Sequence, residues 1–254
     1  EGLLYSHPKV LEAAVAAHPD FDMARVNLAR AQLQDGRPDA AAETLAAVTS
    51  TGSPNAEALN VLGVVLRAQG QAAQAIDAFR QAVAARDDYV EALSNLANAT
   101  LEAGDLTAAS EYFRRLVDLR PDDIGARTAW ATVLWRLGDS APAMEHFQHV
   151  LESHPDDSAA IIGLARCLAA LSPIDHDPAI EAALMTCFAS ADVRHQDLAR
   201  IAANVIKMKH GVGPIAGADD ALSLALTLAV DRLFAALMTR TVNIDRDLEL
   251  LLNG

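Results

Sequence analysis

From residue 22 to residue 157 the apolar positions recur three and four apart, in clusters broken at a regular distance by glycine. Leu28, Leu62, Leu96, Trp130 and Leu164 stand 34 residues apart, and a small residue always follows: Ala29, Gly63, Ala97, Ala131, Ala165. Eight positions after the first four of these large residues come Gly36, Gly70, Gly104 and Gly138. Five further on are Ala41, Ala75, Ala109 and Ala143, then Leu45, Phe79, Phe113 and Phe147, then Val48, Ala82, Leu116 and Val150. Pro121 and Pro155 close two of the copies, and Pro19 holds the same register one period earlier. The spacing predicts helix, tight turn, helix in every copy. Glycine suits the left-handed residue that ends the first helix. The small pairs Gly63/Ala75 and Ala97/Ala109 let the two helices of one copy approach closely. Phe79, Phe113 and Phe147 are expected to fill the gap between successive copies. No copy can bury its apolar face alone, so the copies must stack.

The period, the Leu-small pair, the Gly, the Ala, the aromatic and the Pro, all in register, resemble the tetratricopeptide repeat family. Full copies span 22–55, 56–89, 90–123 and 124–157, with a half copy at 158–171 and the second helix of a truncated copy at 3–21. The family's large aromatic early in the first helix is absent, with Arg25, Leu59, Leu93 and Arg127 in its place, and Asp87 replaces one closing Pro. The resemblance implies an all-α fold, a right-handed superhelix of antiparallel helix pairs (an α-solenoid). Residues 1–171 form this array, and residues 172–254 are expected to form a C-terminal helical bundle.

The core takes the fourth, seventh, eighth, tenth and eleventh positions of each first helix, leaving the second, fifth, ninth and twelfth as one stripe. In the family this stripe faces the concave groove that receives an extended peptide or a partner helix. Here it reads Met23, Val26, Arg30, Leu33; Glu57, Asn60, Val64, Arg67; Glu91, Ser94, Asn98, Leu101; Gly125, Thr128, Thr132, Trp135; and Ala159, Ile162, Arg166. Asn60 and Asn98 are expected to pair with a peptide backbone, since each amide offers donors and an acceptor. Asn27 and Asn95 border the same face. Trp135 is of the type enriched at binding hot spots, with Arg136 beside it. Arg30, Arg67 and Arg166 place positive charge inside an otherwise acidic chain, suited to acidic groups or a C-terminus. The expected groove residues are therefore Arg30, Asn60, Val64, Arg67, Asn95, Asn98, Thr132, Trp135, Arg136 and Arg166. Arg30 and Asn98 lack the Lys that completes the carboxylate clamp of some family members, so chaperone-tail binding is not the favoured reading.

After Leu171 the register is lost, and the run Ser172-Pro173 to Asp177-Pro178 marks a break. Asp177 and Pro178 suit an N-cap and first helical position, opening a helix that runs to about residue 189. A second helix is expected over 195–210, stopped by Gly211. A long helix is expected over 219–238 with Leu222, Leu226, Val230, Leu233 and Leu237, and a last short one over 248–252. Gly211 and Gly213 follow a helix and no strand, which argues against a nucleotide site. This segment, ending in Leu-Glu-Leu-Leu-Leu, carries a less specific resemblance to the N-terminal repeat region of bacterial methyltransferases or glycosyltransferases. That resemblance implies a recruiting arm with catalysis elsewhere.

Composition narrows the partner. Thirty-four acidic residues against 20 basic ones leave a net charge of -14, with no basic footprint for nucleic acid or anionic lipid. No apolar run reaches the ~18 residues of a membrane helix, and no signal-peptide pattern opens the chain. Two Cys residues fit a reducing, cytoplasmic setting. Seventeen Arg and 53 Ala suit a GC-rich, bacterial genome. The start at Glu1-Gly2 without Met leads us to expect a piece of a longer chain. Glu145, His146, His149 and His154 have a metal-like spacing but read as surface residues of a second helix. Asp175, His176 and Asp177 suit a capping run as well as acid–base work. Cys167 and Cys187 read as inert buried thiols. The expectation is a non-catalytic protein–protein interaction module, a scaffold or recruiting arm without metal or cofactor. Its partner is a protein or peptide, with self-pairing through the C-terminal helices as a further possibility.

Overall fold

The computed structural model describes residues 8–17, 22–49, 55–171, 177–212, 224 and 227–240. The described residues are helical throughout, joined by short turns. Contacts divide the chain into two units, Glu1–Ala126 and Arg127–Gly254.

The first unit carries α1 (Pro8–Ala17), α2 (Asp22–Gln34), α3 (Pro38–Thr49), α4 (Ala56–Ala68), α5 (Ala72–Ala85), α6 (Val90–Glu102) and α7 (Leu106–Leu119). Each helix packs on the next, and the first helices of neighbouring copies also touch, α2 on α4 and α4 on α6. This is the stacking that the 34-residue period requires. Gly36, Gly70 and Gly104 have φ of +72°, +77° and +83°, the left-handed conformation expected at a helix C-terminus. Around Gly70 the closing bonds are Gly70 N to Arg67 O (3.0 Å) and Gln71 N to Leu66 O (2.9 Å), which satisfy two carbonyls at the end of α4. Helix starts are capped where the sequence allows. Asn55 Oδ1 accepts from the N–H groups of Glu57 and Ala58, and Asp105 Oδ1 from that of Ala108.

The eighth position of each first helix is buried in every copy: Ala29, Gly63, Ala97, Ala131 and Ala165. Phe79, Phe113, Phe147 and Phe188 are among the largest fully buried side chains. Their placement refines the expectation that these rings fill gaps between copies. Phe79 lies against Gly63 of its own copy, whereas Phe147 lies against Gly163 of the following one.

In the second unit, α8 (Ile124–Leu137) belongs to it from Arg127 onward. It is followed by α9 (Ser140–Ser153), α10 (Ser158–Ala170), α11 (Pro178–Ala189), a 3-10 turn (His195–Leu198), α12 (Ala199–His210) and α13 (Arg232–Arg240). Gly138 repeats the left-handed turn at φ +94°. α9 packs on α10, and α10 on α11. The loss of register after Leu171 is therefore an interruption within a helix pair. Phe188 follows Phe147 by 41 positions rather than 34, and both rings are buried. The extra chain lies in the α10–α11 connection, much of which falls outside the described residues. Asp177 caps α11 as expected, accepting from Ala179 N–H at 2.8 Å, and Gly211 ends α12 at φ +60°.

The single helix expected over 219–238 is interrupted. Val230 lies in a turn, and Asp231 restarts the chain by accepting from Phe234 N–H at 2.9 Å. Periodicity alone favours continuity here, because Val230, Leu233 and Leu237 keep helical spacing. The break comes from Asp231, which is 5% exposed and bonds Lys209 Nζ (2.7 Å) and His210 Nε2 (2.9 Å). Lys209 also reaches Glu181 at 2.6 Å, tying α11, α12 and α13 together. The expected helix at 248–252 and the helix residues expected at 3–7 and 18–21 lie outside the described residues.

Candidate functional site

Along the first helices of the first unit, the ninth-position row Arg30, Val64 and Asn98 is half-buried, and Arg67 one turn further along α4 is exposed. The guanidinium groups of Arg30 and Arg67 have no carboxylate partner among the described residues. The fifth position differs from expectation in the first two copies. Val26 and Asn60 are both 0% exposed and belong to the packing between copies, whereas Ser94, Thr128 and Ile162 are half-buried. Asn60 is not an amide open to a ligand. Its Nδ2 donates to Glu91 Oε1 (2.9 Å) and lies 3.3 Å from the Tyr89 hydroxyl, and its Oδ1 accepts from Asn95 Nδ2 (2.9 Å).

The Glu91 carboxylate fixes this arrangement, because it can only accept. Asn60 must turn its Nδ2 toward Glu91, so its oxygen faces Asn95 and takes the Asn95 N–H. Half-buried Asn95 is thereby held with its own Oδ1 free of this chain of bonds. Burial and the nearby Glu91 charge push the Tyr89 hydroxyl above the usual phenol range, so it stays protonated. Arg86 stacks 3.7 Å from the centre of the Tyr89 ring. Tyr89 was not foreseen as part of this region, since nothing in the period singles out the residue before α6. Asn98 turns one Nδ2 hydrogen back to Ser94 O at 2.8 Å, leaving its oxygen and its second N–H available.

In the second unit, Thr132 is half-buried and its hydroxyl donates to Thr128 O at 2.9 Å. Trp135 is half-buried, and the Arg166 guanidinium lies 5.3 Å from its ring centre, within cation–π range. Arg166 and Arg136 are exposed and have no carboxylate partner among the described residues. Beside Arg166 opens a cleft of about 320 Å³, walled by Ile162, Ala165 and Ala169 of α10 and by Val193, Arg194 and Leu198 of the segment before α12. That second wall was not foreseen, because it carries no repeat signal.

His146 stacks on Trp130 with ring centres 4.2 Å apart, and burial together with Arg127 lowers its basicity. No group of three metal-capable side chains occurs among the described residues. Cys167 and Cys187 are buried, and burial pushes their thiols up to about 11 and about 12. No helix among the described residues is long and apolar enough to cross a membrane.

The pattern of the tetratricopeptide repeat matches residues 9–57, 29–90, 60–124 and 128–186, and the chain belongs to that family. The last match runs through most of α11, in keeping with the α10–α11 pair. Among solved structures the chain is similar to YrrB, described as a TPR protein with an unusual peptide-binding site, at a TM-score of 0.63 and 18% identity. That match covers 72% of this chain and 93% of YrrB. It is similar to MamA at a TM-score of 0.53 and 22% identity, over 59% of this chain and 88% of MamA. The Pseudomonas aeruginosa protein pilF gives a TM-score of 0.58 at 16% identity, over 89% and 90%. These likenesses show the fold. No curated protein matches the chain.

Proposed function

We propose that the chain is a non-catalytic binding module that holds an extended peptide or partner segment along the inner row of its first helices. One observation carries this reading. The fourth, eighth and tenth positions are largely covered by neighbouring helices, whereas the ninth-position row remains accessible and chemically varied in each unit. In the first unit that row offers Arg30, Val64 and Asn98, with Arg67 and the oriented Asn95 beside it. In the second it offers Thr132 and Arg166, with Trp135 and Arg136. Free guanidinium groups, amide oxygens and an aromatic ring suit a peptide backbone and its acidic side chains. Asn60 acts from underneath by fixing Asn95. The array continues through α11, on which α12 and α13 pack. The working setting is cytoplasmic, as a scaffold or recruiting arm.

The test is affinity capture from a bacterial lysate with the chain and with its Arg30→Ala/Arg67→Ala/Asn98→Ala/Trp135→Ala variant, both verified as folded by circular dichroism. Proteins retained by the first and lost by the second support the proposal. Equal retention by both refutes it.

A further inference from the structure

The cleft beside Arg166 has a wall that the repeats do not supply. On one side is the inner face of α10, with Ile162, Ala165 and Ala169. On the other, Val193 and Leu198 come from the chain between α11 and α12. Five aliphatic residues line it together with the charged side chains of Arg166, Asp192, Arg194 and Asp197, and its volume of about 320 Å³ is room for a few side chains. From Ile162 to Ala169 α10 rises about 10 Å, which matches about three residues of extended peptide.

The charges around this cleft are unequal in what they have left to bind. Arg194 is paired with Asp197 at 3.1 Å. Asp192 accepts the Ser158 hydroxyl at 2.6 Å. Arg166 alone has neither a carboxylate partner nor a hydrogen-bond acceptor among the described residues, and its guanidinium lies 5.3 Å from the centre of the Trp135 ring. With Asp192 and Asp197 each engaged with a neighbour, the Arg166 guanidinium beside the aliphatic part of the cleft is complementary to a carboxylate attached to an apolar ligand.

We propose that this cleft is a specificity pocket for a short peptide segment in which a Glu or Asp is flanked by aliphatic residues, the carboxylate bonding Arg166 and an aliphatic side chain entering between α10 and Val193–Leu198. The proposal rests on the reading of the inner row as a binding surface and adds what this end of it selects. The chain's net charge of -14 opposes strongly acidic partners at long range. The ligand therefore carries its carboxylate singly, within a segment that is otherwise neutral or basic.

The probe is the blocked peptide acetyl-Ser-Leu-Glu-Leu-Ser-amide, with the Gln-for-Glu peptide as isosteric control. Binding is read by tryptophan emission in a Trp130→Phe background, where Trp135 is the remaining indole. The expected result is a saturable emission change with the Glu peptide and at least tenfold weaker binding of the Gln peptide. Arg166→Gln should abolish that difference, and Leu198→Ala should weaken both peptides. The full chain, circular dichroism and the exposed position of Arg166 guard against misfolding as the cause. Equal binding of both peptides, an undiminished preference in Arg166→Gln, or no saturable binding at millimolar peptide would each overturn the proposal. A peptide with a free C-terminal Leu and no Glu that bound more tightly would overturn it in favour of a chain terminus. The first unit separates this from the broader reading. If Arg67→Ala/Asn98→Ala loses lysate partners while the probe fails at Arg166, only the pocket is wrong. If the probe binds but the four-residue variant keeps every partner, the broader reading fails.

Discussion

Replacing Gly63 by Ala tests the packing on which the stacked copies depend. A Cβ built on Gly63 would lie 2.5, 2.6 and 2.9 Å from Cε1, Cδ1 and Cζ of Phe79. Carbon pairs are comfortable at about 3.5–4.0 Å, so the ring must retreat by about 1 Å. Phe79 is 0% exposed, so retreat displaces other core side chains. Overpacking of this kind costs about 1–3 kcal/mol. Ala is the better helix former, and that returns about 0.5–1 kcal/mol in α4. The net expectation is a loss of about 1–2 kcal/mol. Gly125→Ala is the matched control. Its Cβ would meet only Asp123 Oδ1, at 3.4 Å, and the residue is exposed, so the same exchange should stabilise by about 0.4–1 kcal/mol. The assay is urea unfolding followed by helical circular dichroism, supported by amide exchange in α4 and α5, because stacked repeats need not unfold in one step. In a Gly63→Ala background, Phe79→Leu should cost less than in the parent. A Gly63→Ala protein at least as stable as the parent would refute the reasoning, since the two exchanges would then share a sign.

Acid should probe the α11–α12–α13 junction. Burial opposes ionisation of Asp231, but the Lys209 ammonium, the Phe234 N–H and His210 outweigh it and hold the carboxyl down at about 2, against an ordinary 3.8. Its contribution is therefore present above about pH 4 and is lost as pH falls toward 2, on the order of 2 kcal/mol. Asp231→Asn should remove that part of the acid dependence of the melting temperature, and an unchanged pH profile would count against the network. Gly70→Ala meets no atom within 4 Å, yet it should destabilise by about 1 kcal/mol through its φ of +77°, measured by thermal melting. Cys167 and Cys187 should resist iodoacetamide at pH 8 in the folded chain and react on unfolding, as mass spectrometry would read. Asn60→Leu should weaken partner capture although Asn60 touches no ligand, because Asn95 loses the acceptor that orients it.

Much of the fold was legible because its signals are local and repeated. The four glycines in register, the small eighth position and the buried aromatic of the second helix each answer to one backbone or packing demand. They recur, so a weak signal in one copy is reinforced by the next. The packing of α11 on α10 was not legible as a repeat, because the longer connection places the buried Phe188 41 rather than 34 positions after Phe147. The break at Asp231 escaped because the competing interaction comes from Lys209 and His210, far back in the chain. In the candidate site the ninth-position row followed from helical geometry alone. The burial of Asn60 did not, since a polar residue at a stripe position is covered only through its partners, Tyr89 at the end of its own copy and Glu91 and Asn95 in the next. The second wall of the Arg166 cleft comes from a segment with no repeat signal.

The most direct test of the binding-module account is site-specific photo-crosslinking in cells. Benzoylphenylalanine would replace Asn98 or Thr132 on the inner row, and Gln81 or Glu111 on the exposed second helices. The account predicts that partner proteins crosslink from the two inner positions and not from the two outer ones. Crosslinks confined to Gln81 and Glu111 would contradict it and move the binding surface to the opposite face of the repeats.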